Sequence, residues 1–457
     1  MNQPDRSILG KMATSHALWI PTLWLFFVGS RPLTVWLRTR MIGTAADDQL
    51  EGSPIDRAVF TLLIICAVLI LFTRARKVGA LLRTNLPILL FLLYCGISIF
   101  WSDFPDVAFK RWIRGVGDIA MVCVVLTETS PLRAIKALFA RLGFIILPLS
   151  VVLDAGRAAY GLTYHNDQGV AFHNGVTNNK NLYGVIAMIL GIAAAWHFLT
   201  ARTAKDRKER KRELRIYGAL TLLAMFCLWL ANSVTADACF ALGIVVIILA
   251  RRWSPSKPAL LHFAIASLVF VALYSAILNP HLGVVASLGK DPTLTGRTDV
   301  WKVIIPMNPD PLLGAGFESF WLGARLKRLW DSFPWKPNEA HNGYIEVYLN
   351  LGWVGLSLFG VVIVSGYRKI ARGLSQDPEG ASLRLAFLVV AVVYSLTEAG
   401  FRIFTPMWMV FLVAVIPTSR ISVLRTAGRR QTERLKSWRG EDSQVLSAGT
   451  SSRLIRL

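Results

Sequence analysis

The sequence predicts an all-α polytopic membrane protein with about twelve transmembrane helices. Hydrophobic residues make up 54% of the 457 residues, and charged residues make up only 17%. Apolar runs of roughly 20 residues recur along the chain, and each is long enough to cross a bilayer as a helix. So few charges could hardly cover a water-facing surface, which excludes a soluble multidomain protein.

Twelve segments have the apolar composition of a membrane span. They are residues 16–37, 57–73, 86–101, 109–127, 137–153, 182–200, 214–231, 236–250, 259–278, 343–366, 383–400 and 403–417. The chain therefore divides into four predicted parts. They are helices one to nine in residues 1–278, an extracytoplasmic loop in 279–342, helices ten to twelve in 343–417, and a basic cytoplasmic tail in 418–457 that we expect to be disordered.

The net charge of +22 is the kind of value that nucleic-acid-binding proteins show, but its placement indicates membrane topology instead. Lysines and arginines collect in loops on one side of the spans, as the positive-inside rule requires. The cluster in 201–215 and the tail after Arg420 place both termini in the cytoplasm. We therefore expect no nucleic-acid partner and an outward-facing loop at 279–342. That loop carries seven Lys and Arg, which long loops tolerate.

The five cysteines lie inside or at the edge of apolar segments, and none has the spacing of a metal site. We expect neither a disulfide nor a zinc site.

The densest group of chemically active residues is AHNGYIEVYLNLGWVG, residues 340–355. Asn342 is a good N-cap for span ten, which places His341 at a helix N-terminus on the outer surface. The helix dipole there attracts anions and favours a neutral imidazole, which can act as a base. Tyr344 would share the face of His341 if the helix already included it, whereas Glu346 would point elsewhere. A purely structural, capping histidine is the alternative.

A second group, LTGRTDVWKVIIP, opens the first helix of the loop at residues 294–306. Arg297 and Trp301 share one helical face. An arginine at a helix start is repelled by the dipole, so an anion should compensate it. That anion is either Asp299 or a phosphate of a ligand, since the guanidinium fork suits a pyrophosphate.

A third group is the turn PDPLLGAGFESFW, residues 309–321. Gly314 and Gly316 permit close backbone approach. Aromatic residues such as Phe317, Phe320 and Trp321 could form the floor of a sugar site, although aromatics are common at membrane interfaces in any case.

Two further basic features lie at the same predicted surface. Arg111, Arg114 and Asp118 form one stripe on span four, and intramembrane ions are functional candidates because they are costly unless paired. Either they bind a ligand, or Arg114 and Asp118 form a structural pair. Lys180 lies in the turn GVTNNKNLYG before span six, where it either binds an anion or is an ordinary turn lysine.

Five stretches together resemble the O-antigen ligase/Wzy polymerase superfamily, and within it they are most similar to ExoQ-like exopolysaccharide production proteins. The stretches are WSDFPDVAFKRWIR, NKNLYG, TGRTDVW, LLGAGFESFW and HNGYIEVYLNLGWVG, within residues 90–415. The resemblance implies a GT-C-like helical fold in the bacterial inner membrane, with a large periplasmic loop between spans nine and ten. It also implies an undecaprenyl-pyrophosphate-linked oligosaccharide substrate and metal-independent glycosyl transfer without a cofactor.

The resemblance also implies roles for individual residues. His341 would activate the acceptor hydroxyl, and Arg297 would hold the donor pyrophosphate. Lys180, Arg111 and Arg114 match basic positions at the same surface, and we add two aromatic neighbours to the substrate site, Trp301 and Tyr344. The chain departs from the family at Ser233-Val234-Thr235-Ala236, where many members carry a basic residue.

Three functions fit these features. The first is polymerisation of exopolysaccharide repeat units, with a chain-length-regulating co-polymerase as a possible partner. The second is an O-antigen ligase that transfers glycan to lipid A core or to protein. A transporter or flippase of lipid-linked sugars is the third, but it should show repeated broken spans around a midplane site. The motifs gather instead on one outer face.

The topology can be tested with single cysteines in a variant that lacks the five native ones. We expect Trp330→Cys to react with an impermeant thiol reagent in intact cells, because the loop is outside. Arg207→Cys should react only after the cells are permeabilised. Labelling of Arg207→Cys in intact cells would contradict the twelve-span arrangement.

Overall fold

The computed structural model describes residues 15–37, 53–156, 162–164, 171–203, 206–253, 257–277, 294–333 and 335–416. The helices before the long loop are α1 Trp19–Val28, α2 Leu33–Trp36, α3 Pro54–Thr73, α4 Ala75–Thr84, α5 Leu86–Ile97, α6 Pro105–Leu126, α7 Pro131–Ala155, α8 Lys180–Ala201, α9 Arg207–Ala231, α10 Val234–Trp253 and α11 Pro258–Ile277. The later helices are α12 Leu294–Ile304, α13 Gly323–Ser332, α14 Gly343–Gly373, α15 Pro378–Tyr394 and α16 Pro406–Val415. Strands β1 Leu162–Tyr164 and β2 Ala171–His173 pair antiparallel between α7 and α8.

The architecture is that of a multi-pass helical membrane protein. Among the described residues, six helices are long and apolar enough to span a membrane, namely α3, α7, α8, α9, α10 and α14. A seventh span results if α4 and the segment Leu86–Trp101, bent by 90° against each other, count as one. Each of the twelve predicted segments overlaps a helix, but the number of spans stays a prediction. The predicted tail 418–457 and the loop residues 279–293 lie outside the described residues.

Local sequence explains where most of these helices begin. Side chains of polar residues accept hydrogen bonds from backbone N–H groups of the first turn, which have no partner inside the helix. Such caps are Ser53 of α3, Asn179 of α8, Asp206 of α9, Asn342 of α14, Asp377 of α15 and Thr405 of α16. Proline stands in the first turn of α3, α6, α7, α15 and α16, where its missing N–H costs nothing.

Helix α8 forms the centre of the bundle and packs against α7, α9 and α10. Its small residues make this contact close. A Cβ atom on Gly184 would lie 2.9 Å from the Ser233 side chain, and one on Gly191 would lie 2.9 Å from Phe240. Small residues at helix contacts allow the close backbone approach that holds helices together in a membrane.

Two predicted spans are interrupted in the structure. In segment 16–37 the helix ends at Val28, and α2 starts again after Pro32. In segment 383–400 the helix ends at Tyr394, and a loop of residues 395–405 leads to α16. This second loop can remain non-helical because other parts of the protein bond its backbone; for example, the Ser395 carbonyl accepts from the Gly343 N–H at 2.8 Å.

Helix α14 is also broken, at Gly352, whereas the sequence predicted one continuous span. Gly352 has φ 62° and ψ −165°, a conformation that is essentially reserved for glycine. The break frees backbone groups that bond the turn at 311–315. Trp353 N–H donates to the Pro311 carbonyl, and Ala315 N–H donates to the Leu349 carbonyl, both at 3.0 Å. The turn is thereby fixed to the helix.

The described part of the long loop folds onto this broken helix around a small apolar core of its own. Its buried members include Val300, Ile304, Phe320, Trp321, Leu326, Leu329, Ala340 and Leu349. The close approach predicted for Gly314 is confirmed, since a Cβ there would lie 2.4 Å from the Leu351 nitrogen. The aromatic side chains expected to floor a sugar site are instead buried, with Phe320 only 2% exposed.

We expect Gly352→Ala to destabilise the folded protein. A residue with a Cβ would cost about 1–3 kcal/mol in this conformation alone, and its Cβ would lie 2.1 Å from the Leu312 carbonyl oxygen. Thermal unfolding of the detergent-solubilised protein measures the effect. Gly360→Ala is the matched control on the same helix, because a Cβ there would meet no atom within 4 Å other than its chain neighbours and its own helix backbone. Equal melting temperatures for the two variants would refute the role of the break.

Candidate active site

Three segments meet at one end of the bundle and form the candidate site. Arg297 lies in the first turn of α12, His341 lies just before α14, and Glu398 lies in the loop between α15 and α16. The structure thus brings together the two residues that the sequence put forward for catalysis. The carboxylate of Glu398, which the sequence analysis did not put forward, joins them.

His341 lies between two carboxylates. Its Nδ1 is 3.2 Å from Glu398 Oε2 and 3.1 Å from Glu339 Oε1. The residue has φ 49°, a left-handed conformation that is uncommon outside glycine. Helix α14 begins only at Gly343, and Asn342 caps it by accepting from two backbone N–H groups. The predicted cap is confirmed, but His341 stands outside the helix and does not share a helical face with Tyr344.

The protonation of His341 is set by these carboxylates rather than by the helix dipole. Burial disfavours the charged imidazole, but the hydrogen bond to Glu398 and the charges of Glu339 and Glu398 outweigh it and raise the pKa of His341 above its usual value. In turn, burial disfavours the Glu398 carboxylate, but His341 and Arg297 hold its pKa below its usual value. This direction is opposite to the one expected from the helix dipole alone, which favours the neutral imidazole.

Arg297 is compensated by Glu398. Its Nη2 donates to Glu398 Oε1 at 2.9 Å, and its Nη1 donates to the Thr397 carbonyl. Asp299, which the sequence offered as the partner, pairs with Lys302 at 3.0 Å on the surface. The Arg297 and Glu398 side chains are only 18% and 8% exposed, so this ion pair is a strong structural contact.

A second arginine continues the charged network towards α6. Arg402 contacts Glu318 at 3.4 Å and Glu339 at 3.8 Å. Burial alone would lower its pKa, but Glu318 and other nearby carboxylates raise it, so Arg402 stays charged. Arg111 of α6 donates to the Glu318 backbone carbonyl. Arg111 is therefore linked to the His341 site through Glu318, Arg402 and Glu339.

Arg114 and Asp118 do not form the structural pair considered above. The Asp118 carboxylate accepts from Trp24 Nε1 at 2.8 Å and from the Phe404 backbone N–H at 3.0 Å. The Arg114 guanidinium lies 5.5 Å from the centre of the Phe404 ring. Lys180 is the first residue of α8, and its ammonium lies 4.2 Å from the centre of the Phe172 ring.

The two aromatic residues assigned to the substrate site also support the loop. Trp301 Nε1 donates to the Ala340 carbonyl at 2.7 Å, which fixes the residue before His341. The Tyr344 hydroxyl donates to the Val392 carbonyl at 3.0 Å. Their contact with substrate stays a prediction. Glu346, as expected, is not a partner of His341, because its carboxylate accepts from Trp321 Nε1 and from the Ala340 N–H.

Glu339, His341 and Glu398 are also the described residues that could hold a metal ion. Their ligand atoms lie within 4.8 Å of one another. Both carboxylates, however, already face arginines, namely Arg402 and Arg297. The same positive charge that a metal would bring is therefore supplied by the protein.

Sequence reasoning missed Glu398 and Arg402. A signal for both was present, because each is a charged residue in or beside an apolar segment, where charge is costly and marks function. The prediction of one continuous span over residues 383–400 hid this signal. The ends of the last two helices had to be known before these residues could be placed beside the long loop.

Two comparisons with known proteins show what the chain is similar to. Residues 218–360, which include Arg297 and His341, match the family model described as O-antigen ligase. The chain is also 27% identical over 344 residues to the exopolysaccharide production protein ExoQ of Rhizobium meliloti (strain 1021), over 72% of this chain and 75% of the relative. These matches support the family resemblance: the chain is a multi-pass membrane protein that is similar to the O-antigen ligase family and to the exopolysaccharide production protein ExoQ.

Proposed function

We propose that the protein polymerises undecaprenyl-pyrophosphate-linked oligosaccharide repeat units into exopolysaccharide on the periplasmic face of the bacterial inner membrane, with both termini in the cytoplasm. The observation that carries the proposal is the buried row His341–Glu398–Arg297. It holds a base and a phosphate-binding cation side by side. A chain-length-regulating co-polymerase is a partner that such a reaction would use.

His341 is the general base in this proposal. Because both carboxylates lie at Nδ1, the neutral ring carries its proton there and leaves Nε2 to accept one. The acceptor hydroxyl loses its proton to Nε2 as its oxygen attacks the anomeric carbon of the donor glycan. Glu398 orients the ring and stabilises the imidazolium that forms, as a carboxylate behind a catalytic histidine does.

Arg297 stabilises the leaving group. A guanidinium has five N–H donors, and the described contacts of Arg297 use two nitrogens for Thr397 and Glu398. The remaining donors can bind the pyrophosphate and offset the negative charge that develops on it as the glycosidic bond breaks. A single displacement of this kind inverts the configuration at the anomeric carbon and needs neither a metal nor a cofactor.

The position at which the chain departs from the family helps to distinguish a polymerase from a ligase. Thr235 Oγ1 lies 3.5 Å from Thr397 Oγ1, and the Thr397 carbonyl accepts from Arg297. Val234, where many members carry a cation, is thus next to the residue that borders the Arg297 contact. A donor site that differs here, together with a relative named for exopolysaccharide production, favours the polymerase. The ligase reaction remains the alternative, and it uses the same chemistry.

A deletion strain separates the two reactions. We expect it to accumulate undecaprenyl-linked single repeat units and to secrete no high-molecular-weight polysaccharide, while its lipopolysaccharide stays normal. Extraction and chromatography of lipid-linked intermediates measures this. Full-length polymer left on its lipid carrier, with lipopolysaccharide lacking its O-chain, would instead establish a ligase.

Variants of the two central residues test the assigned roles. His341→Ala should reach the membrane normally but lower polymer formation by about 10²–10⁴-fold, the usual contribution of a general base. Arg297→Lys should also be poor, because a point charge does not replace the fork that bonds Glu398 and a phosphate. Lys302→Ala is the control, since its ion pair with Asp299 is exposed. Near-normal polymer from His341→Ala would return this residue to a structural role.

The pH dependence of transfer tests the carboxylates. Because only neutral His341 accepts a proton, activity should fall as the pH falls through its raised pKa. Glu339→Gln removes one of the charges that raise this pKa, so the acidic limb of the rate profile should move to lower pH. Transfer rates in membrane vesicles across a pH series measure the shift. Asp299→Asn, a surface control, should leave the limb in place; an unshifted limb in Glu339→Gln would exclude His341 as the group that titrates.

A further inference from the structure

We propose that Trp301 and Glu346 are positioning residues for His341: they hold the two peptide groups on either side of Ala340 and thereby set the backbone conformation from which the imidazole extends. The inference rests on the proposed function, because it concerns the base of that reaction. It gives Trp301 the task of supporting the base, instead of the contact with substrate that the sequence predicted. Both side chains act through the backbone of the residue before the base.

His341 has a backbone conformation that its surroundings must hold. Its φ is 49°, in the left-handed region that residues other than glycine rarely adopt. Such a conformation persists where the surrounding structure determines it, and functional sites often contain one. The residue after His341 is fixed, because the Asn342 side chain donates to the Leu396 carbonyl at 2.9 Å and also caps α14. The conformation of His341 then depends on the peptide group before it.

Trp301 holds that peptide group. The angle φ describes rotation about the bond between the His341 nitrogen and Cα, so it depends on the direction of the Ala340–His341 peptide plane. The Ala340 carbonyl lies in this plane and accepts from Trp301 Nε1 at 2.7 Å. Trp301 lies one turn after Arg297 on α12, on the same face of the helix. The helix that carries Arg297 thus also holds the peptide group of the base.

Glu346 holds the peptide group on the other side of Ala340. Its Oε1 accepts from the Ala340 N–H at 2.6 Å, and its Oε2 accepts from Trp321 Nε1 at 2.8 Å. The Ala340 N–H belongs to the peptide group formed with Glu339, whose carboxylate lies 3.1 Å from His341 Nδ1. Glu346 and Ala340 are 2% and 1% exposed, so these hydrogen bonds lie where the low dielectric strengthens them. Glu346 therefore sets the position of Glu339 as well as that of the base.

Loss of either contact displaces the base but leaves the groups that bind substrate in place. When the Ala340–His341 peptide is released, His341 turns towards an ordinary conformation, and its imidazole moves away from Glu339 and Glu398. The base then lies further from the acceptor hydroxyl, and the chemical step slows. A residue that binds the substrate equally in the ground state and the transition state acts differently, because its removal raises KM and leaves kcat unchanged. Kinetics can therefore distinguish the two roles of Trp301.

Steady-state kinetics of Trp301→Phe test the proposal. The assay uses the purified full-length protein in liposomes, with lipid-linked repeat units extracted from the deletion strain as substrate. Phenylalanine keeps an aromatic ring in the small core of the loop but removes the N–H donor. We expect kcat to fall roughly 10- to 100-fold, the effect of a misplaced reacting group, while KM changes by no more than about twofold.

Trp330→Phe is the matched control. Trp330 packs against the same small core as Trp301, and its Nε1 donates to the Pro337 carbonyl at 3.0 Å, four residues before His341. This variant should change kcat by no more than about twofold, because the bond that it loses does not hold the peptide group of the base. An equal loss of kcat in both variants overturns the proposal, since it shows a general effect on the loop. A raised KM with unchanged kcat in Trp301→Phe also overturns it, because Trp301 then binds substrate.

The chemical reactivity of His341 provides a measurement that needs no turnover. Diethyl pyrocarbonate modifies neutral imidazoles, and peptide mass spectrometry separates His341 from the other histidines. Glu339 and Glu398 raise the pKa of His341 against the opposing effects of burial and Arg297. The midpoint pH of modification should therefore move down, towards that of an ordinary histidine, in Trp301→Phe. It should stay in place in Trp330→Phe.

Glu346→Gln is a second variant, which keeps the proposal testable if Trp301→Phe fails to fold. A glutamine has a single acceptor oxygen, so it cannot accept from both the Ala340 N–H and Trp321 Nε1. We expect the same combination of a lower kcat, a KM within about twofold of wild type and a lower midpoint of His341 modification. A wild-type kcat and midpoint in Glu346→Gln would show that its carboxylate does not position the base.

The outcomes also separate this proposal from the proposed function. If the midpoint of His341 modification moves in both variants while His341→Ala makes near-normal polymer, Trp301 and Glu346 position the histidine, but the histidine is not the base. If His341→Ala makes no polymer while both variants keep a wild-type kcat and midpoint, the base stands and the positioning role is wrong.

Discussion

The buried carboxylate of Glu398 is the contact on which the rest of the site depends. It is only 8% exposed, yet it carries a charge that would be very costly without partners. Arg297 and His341 supply those partners from two segments that are far apart in the sequence. Leaving one buried charge of such a group unpaired typically costs about 3–5 kcal/mol. The contacts that fold the loop therefore also fix the positions of His341 and Arg297 relative to each other.

Backbone hydrogen bonding explains why irregular segments can exist here at all. A non-helical chain in a membrane protein must have its N–H and C=O groups bonded inside the protein. The loop after α15 meets this requirement because carbonyls of Ser395, Leu396 and Thr397 accept from Gly343, Asn342 and Arg297. The break of α14 at Gly352 meets it by bonding the turn at 311–315. The same bonds that satisfy the backbone thus place the side chains of the candidate site.

Charges of alternating sign form a row through the candidate site. In order, the row consists of Arg111, Glu318, Arg402, Glu339, His341, Glu398 and Arg297. Within the row, Arg297 and His341 hold the pKa of Glu398 below its usual value, and Glu339 and Glu398 raise the pKa of His341. Cations end the row on both sides. This distribution of charge is the one that the proposed pyrophosphate-linked substrates would require.

The sequence by itself determined the class of fold and identified two of the residues that meet in the candidate site, Arg297 and His341. The chain has many apolar segments long enough to cross a bilayer. In lipid, such segments must form their backbone hydrogen bonds internally, as helices do, so the multi-pass helical fold followed directly. Local sequence signals also predicted the structure correctly. The cap of Asn342 and the helix carrying Arg297 depend on only a few neighbouring residues. Only the tertiary structure decided the partner of Arg297, the pKa of His341 and the break at Gly352. Each of these depends on contacts between segments distant in sequence, above all the loop with Glu398, and local pattern does not encode which buried charges will meet.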